Sequence, residues 1–166
     1  MIFKVRQPGI EDMHCYHDAA SVSGTDFVVA EAGVVVGITG SSLVAPVTDD
    51  VDPYGFLMQR VKRDYESIGL PVGFRFRGDH GSSDAFIGDA VGVMVGNGFI
   101  AETDQYDADS GGVITAGQKL YAKSGGRLTN NSSLSVVADT PVAVAKISLS
   151  AAQIAAGTWL RFKSLI

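Results

Sequence analysis

Three short stretches carry residue types that could do chemistry. His14-Cys15-Tyr16-His17-Asp18 brings two imidazoles, a thiol and a carboxylate within five positions, the donor types of a zinc site. Such a site draws three or four ligands, usually from two separated segments, and the only other histidine is His80. Asp79-His80-Gly81-Ser82-Ser83-Asp84 holds two serines, a histidine and two aspartates. A nucleophilic triad is assembled from distant segments on a rigid scaffold, so side chains crowded on one glycine-containing loop do not converge as a triad must. The acidic run Glu102, Asp104, Asp107 and Asp109 offers the carboxylate oxygens that Ca²⁺ takes, without the loop spacing of a dedicated calcium motif. Gly37-Ile38-Thr39-Gly40-Ser41-Ser42 lacks the lysine of a phosphate loop. The expectation is a protein that is not an enzyme and uses no cofactor or metal.

The elements that would position these groups are strands. Val91, Val93 and Val95 alternate with Gly92, Met94 and Gly96, a period of two. Gly96-Asn97-Gly98 then turns the chain, because Gly and Asn tolerate positive φ, and Phe99 to Thr103 is expected to return as the second strand of a hairpin. After the acidic loop, Ile114-Thr115-Ala116-Gly117 leads into Lys119–Lys123, with Leu120 and Ala122 on one face and Lys119, Tyr121 and Lys123 on the other. Ser124-Gly125-Gly126 is the next turn, and Arg127-Leu128 starts the way back.

Upstream, Phe27–Ala30, a turn at Glu31-Ala32-Gly33, and Val34–Ile38 read as a first hairpin whose continuous valines call for burial on both faces. Ser41 to Thr48 is a connector or short edge strand. Asp52-Pro53 would suit a helix start, and Tyr54, Leu57 and Val61 share a helical face. Yet Phe56–Val61 also reads as a strand, the form favoured by the resemblance given below. Phe74 and Phe76 alternate with Arg75 and Arg77, a half-exposed strand with its basic residues outward. Leu134–Ala138, Val142–Leu149 and Trp159–Leu165 are further strands, and Ser150–Gly157 is a short helix capped by Ser150 and stopped by Gly157. The fold class is therefore all-β and mainly antiparallel, a β-sandwich or partly closed small barrel with at most one or two short helices.

Residues 1–25 show no sustained period and contain Pro8-Gly9, so they are expected to form an extended N-terminal arm, with residues 26–166 as the β-rich domain. Twenty glycines, 46% hydrophobic and only 19% charged residues among 166 suit a turn-rich globular protein. Charge is uneven: residues 1–112 hold 7 basic and 17 acidic groups (−10), residues 113–166 hold 6 and 1 (+5). That polarity suits layered contacts with partners and argues against a general nucleic-acid binder. A single cysteine excludes an internal disulfide framework. Met1–Arg6 lacks the apolar core of a signal peptide, and the longest apolar candidate, Phe27–Ile38, is short and broken by Glu31, so no membrane association is expected.

The segments GVMVGNGFIAETDQY, AGQKLYAKSGGRLT and AAGTWLRFK, within residues 53–166, together resemble the decoration (cement) and head structural proteins of tailed bacteriophages. The resemblance implies a virion structural protein on the outer surface of the icosahedral head, made in the host cytoplasm. It would stabilise the shell by bridging subunits of the major capsid protein, with a homo-oligomer as the attached form (a trimer, or else a dimer). The residues offered for capsid or oligomer contact are Phe3, Val5, Ile10 and Tyr16 on the arm, the outward Arg75 and Arg77, and Tyr106 and Tyr121, since tyrosine gives large contact area at low entropy cost. The alternatives are a tail or baseplate β-domain and a carbohydrate-binding module. The latter calls for a groove of exposed aromatics, for which one Trp (Trp159) and five Tyr are thin support.

Overall fold

The structure is a computed structural model and describes residues 4–5, 10–16, 28–39, 43–48, 51–62, 84–86, 90–108, 112–137 and 140–166. Its strands are β1 (Lys4–Val5), β2 (Ile10–Tyr16), β3 (Val28–Ala30), β4 (Val35–Thr39) and β5 (Leu43–Pro46). They continue with β6 (Pro53–Leu57), β7 (Arg60–Lys62), β8 (Asp84–Phe86), β9 (Ala90–Val95) and β10 (Ile100–Thr103). The last five are β11 (Tyr106–Asp107), β12 (Lys119–Ala122), β13 (Leu128–Thr129), β14 (Ala143–Ala145) and β15 (Leu160–Ser164). The α-helix among the described residues, α1 (Ala151–Ala155), follows β14. The all-β class is thus observed, with antiparallel ladders throughout except at β2–β5, β7–β8 and β11–β13.

The strands form a seven-stranded sheet in the order β1-β10-β15-β14-β12-β13-β11, a closed barrel of β2-β5-β4-β6-β9, and a small sheet β3-β7-β8. The valine run explains how they pack. Val35, Phe56 and Met94 stand opposite one another across β4, β6 and β9 and join the core beneath the large sheet. Their chain neighbours Val34, Val36, Leu57 and Val93 point the other way into a second core with Val61, Ala85 and Val91. Both faces of these strands are therefore buried, as a run without polar alternation requires. Phe56, Phe99 and Phe162 meet at ring-centroid distances of 4.8–6.3 Å and join barrel to sheet.

Turns expected to close hairpins instead pass the chain between sheets. Gly96 and Gly98 take positive φ as expected, but β9 pairs with β2 and β6 while β10 pairs with β1 and β15. Likewise the turn at Ala32-Gly33 leads from β3, paired with β7, to β4, paired with β5 and β6. Here the Gly33 N–H donates to the Leu57 carbonyl and the Leu57 N–H to that of Val34, so β6 takes the place of the expected hairpin partner. The Lys119–Leu128 hairpin does form, Ala122 opposing Leu128. Phe56–Val61 is strand, not helix, divided between β6 and β7.

One expectation needs correction. Leu134–Ala138 is not a strand over its described part: Ser132–Leu134 is a single 3-10 turn, capped by the Asn131 side chain accepting from the Ser133 N–H. The local cap competes with ladder formation and wins here. Residues 1–25, expected as an arm, contain two paired strands. β1 aligns with β10, and β2 runs antiparallel to β9 from Ile10 opposite Val95 to Cys15 opposite Ala90, then parallel to β5. The sequence of β2, Ile-Glu-Asp-Met-His-Cys-Tyr, mixes polar and apolar residues on both parities, so no period announces it.

Candidate functional site

Along β12 and β15 the large sheet buries one face and leaves the other open, and this open face gathers a basic set. Along β15 Leu160, Phe162 and Ser164 are buried while Arg161 and Lys163 are exposed. Along β12 Leu120 and Ala122 are buried, Lys119 is exposed and Tyr121 half-buried. Register fixes the lateral order: Ile100 opposes Lys163, Lys163 opposes Val144, and Val144 opposes Lys119. A row of apolar, cationic, apolar and cationic side chains thus crosses four strands. Exposed Lys146 flanks it next to Arg161, whose carbonyl accepts from the Lys146 N–H at 2.8 Å.

Several cations are already engaged. Arg161 Nε and Nη2 donate to Glu102 Oε1 at 2.9 and 2.8 Å. Asp107 receives Lys123 Nζ at 2.6 Å and Arg127 Nη2 at 2.9 Å. Arg60 holds Glu31 at 2.8 Å. Lys119, Lys146 and Lys163 have no carboxylate partner among the described residues; Lys119 and Lys163 stand on the open sheet face, and Lys146 lies just past the end of β14.

The acidic run is accordingly dispersed. Glu102 is turned to Arg161, Asp107 to Lys123 and Arg127, and Asp104 accepts from the Gln105 side chain at 2.9 Å. Asp109 lies outside the described residues, and no group of three metal-ligating side chains converges among those described. His14 and Cys15 belong to β2, whereas His17, Asp18 and the Asp79–Ser83 loop lie outside the described residues.

The described residues among those proposed for contact lie on β1, β2, β11 and β12. Tyr106 is buried at 6% exposure, and its hydroxyl donates to the Thr158 carbonyl at 2.6 Å. Burial pushes its pKa up, and Asp104 adds to the shift. It is a core latch, not a surface anchor. Tyr121 stays on the open face between Lys119 and Lys123. Val5, Ile10 and Tyr16 are strand residues of β1 and β2, while Phe3, Arg75 and Arg77 lie outside the described residues. Sequence reasoning did not select Lys163, Lys146, Val144 or Ile100. The alternation in Leu-Arg-Phe-Lys-Ser was the available signal, but the neighbours of that strand were not legible. Comparison with protein-family models and with curated proteins finds no match to this chain.

Proposed function

We propose that the protein is a non-enzymatic virion structural protein that attaches to the outer surface of an icosahedral bacteriophage head and bridges subunits of the major capsid protein. One observation supports this most: the segments that carry the resemblance to phage decoration proteins fall mainly in one sheet, with residues 92–95 in β9 of the barrel as the exception. Phe99–Thr103, Lys119–Ala122 and Leu160–Ser164 supply β10, β12 and β15 of a single sheet, open on one face along β12 and β15. Attachment is assigned to this folded body, into whose sheets β1 and β2 are also paired. A bridging protein binds the assembled lattice better than the free subunit, and so stabilises the lattice by mass action. Many copies on symmetric sites multiply a modest energy per contact, and a homo-oligomer, a trimer on this account, matches its own symmetry to the shell.

The test mixes purified protein with heads lacking it, and separately with host polysaccharide, and sediments each. The expected result is saturable co-sedimentation with heads alone. Sedimentation with polysaccharide and not with heads would replace this function with carbohydrate binding.

A further inference from the structure

Of the three lysines without a carboxylate partner among the described residues, Lys119 and Lys163 share one face of one sheet and Lys146 follows β14, whereas Arg60, Lys123 and Arg127 are held in ion pairs. Lys163 and Lys119 lie two strands apart on the same row, so their stems emerge ~10 Å from each other, with Val144 between them and Ile100 beyond. Half-buried Tyr121 follows Lys119 on the same face of β12. We infer that this face, Ile100-Lys163-Val144-Lys119 with Tyr121 and the flanking Lys146, is the surface by which the protein docks on an acidic protein surface, one that places apolar groups between its carboxylates. The inference rests on the function proposed above and names the contact that the head would make.

Its chemistry selects among anionic partners. Lysine carries a compact charge on a flexible stem, and the apolar side chains between the two lysines ask for apolar counterparts, which a phosphate backbone does not supply. Arg60, Arg127 and Arg161, whose planar forks would suit phosphate, are turned to Glu31, Asp107 and Glu102. The chain's net charge of −5 opposes a polyanion at long range, whereas a local basic face still meets a local acidic patch.

The experiment measures binding of the full chain to heads lacking it, over a salt series. Lys119→Gln/Lys163→Gln removes two charges from the face. Ala152→Glu/Ala155→Glu makes the same change in net charge at exposed positions of α1. Both variants should melt within a few degrees of the parent, because exposed changes of this kind perturb stability little. The expected result is a loss of about tenfold in affinity for the lysine variant, with its salt dependence flattened, and a change of less than about twofold for the helix variant. Equal binding by parent and lysine variant would overturn the docking surface and leave the proposed function standing. Failure of the parent to bind heads at all would overturn the function and this partner together. Tight binding of a labelled single-stranded oligonucleotide, lost in the lysine variant, would assign the face to a polyanion and overturn the inference.

Discussion

Gly126→Ala should be among the most damaging single-methyl additions to this fold. The turn between β12 and β13 is also the seam between sheet and barrel: the Val35 N–H donates to the Gly126 carbonyl at 2.7 Å and the Gly125 N–H to that of Val47 at 3.1 Å. Gly126 has φ +79°, and a Cβ there would lie 2.3 Å from the Val35 carbonyl oxygen and 3.1 Å from the Val34 Cβ. The left-handed backbone alone costs an L-residue about 1–2 kcal/mol. Relieving the overlap means backing the turn away from β4, which weakens both hydrogen bonds at about 1 kcal/mol each and opens the packing beneath. The sum is about 3–5 kcal/mol, or a fall in Tm of about 6–20 °C for a chain of this size. Gly125→Ala is the internal control: its φ is +85°, but nothing lies within 4 Å of the added Cβ, so only the backbone term applies. Urea unfolding followed by the fluorescence of the single tryptophan, Trp159, measures both. Equal destabilisation by the two variants would refute the view that this turn is wedged against the barrel.

Three further outcomes are expected. Deleting residues 1–16 should remove one of the two partners of β9, the one paired along its whole length, and lower Tm by more than about 10 °C or abolish the cooperative melt; a shift of only a few degrees would show the stretch to be a dispensable arm. Tyr106→Phe should cost about 1–2 kcal/mol by removing the hydroxyl that holds the Thr158 carbonyl. Because the native phenol pKa lies above the ordinary 10.0, its contribution is whole below pH 10.0 and is lost as pH rises from there through the native value. Alkaline denaturation curves should therefore be flatter in the Phe variant. Ser150→Ala should cost about 1 kcal/mol by circular-dichroism melts, since its hydroxyl and the Gln153 side chain form a reciprocal capping box at the start of α1.

Local pattern was legible in the sequence wherever one face met water. Leu120 and Ala122 against Lys119 and Tyr121, or Ser150 at the cap and Gly157 past the end of α1, follow from period and capping alone. Partner choice was not. A glycine turn fixes a reversal of the chain but not which strand lies beside it, and Gly96-Asn97-Gly98 hands the chain from barrel to sheet in the same conformation that would close a hairpin. The basic face escaped notice for the same reason: Lys119 and Lys163 are 44 positions apart in sequence and meet across Val144 only through strand order. Tyr106 misled in the other direction. Flanked by Asp104 and Asp107 it resembled a surface tyrosine, yet its ring is buried and its hydroxyl is spent on the backbone beside β15.

The proposed attachment to a phage head through the open sheet face is tested directly by an electron cryomicroscopy reconstruction of the virion containing this chain. The expected map shows the chain on the outside of the head, in contact with two or more capsid subunits, with Lys119 and Lys163 toward acidic side chains of the shell. Density for the chain in the tail or baseplate, or on the head with that sheet face turned to solvent, would contradict it.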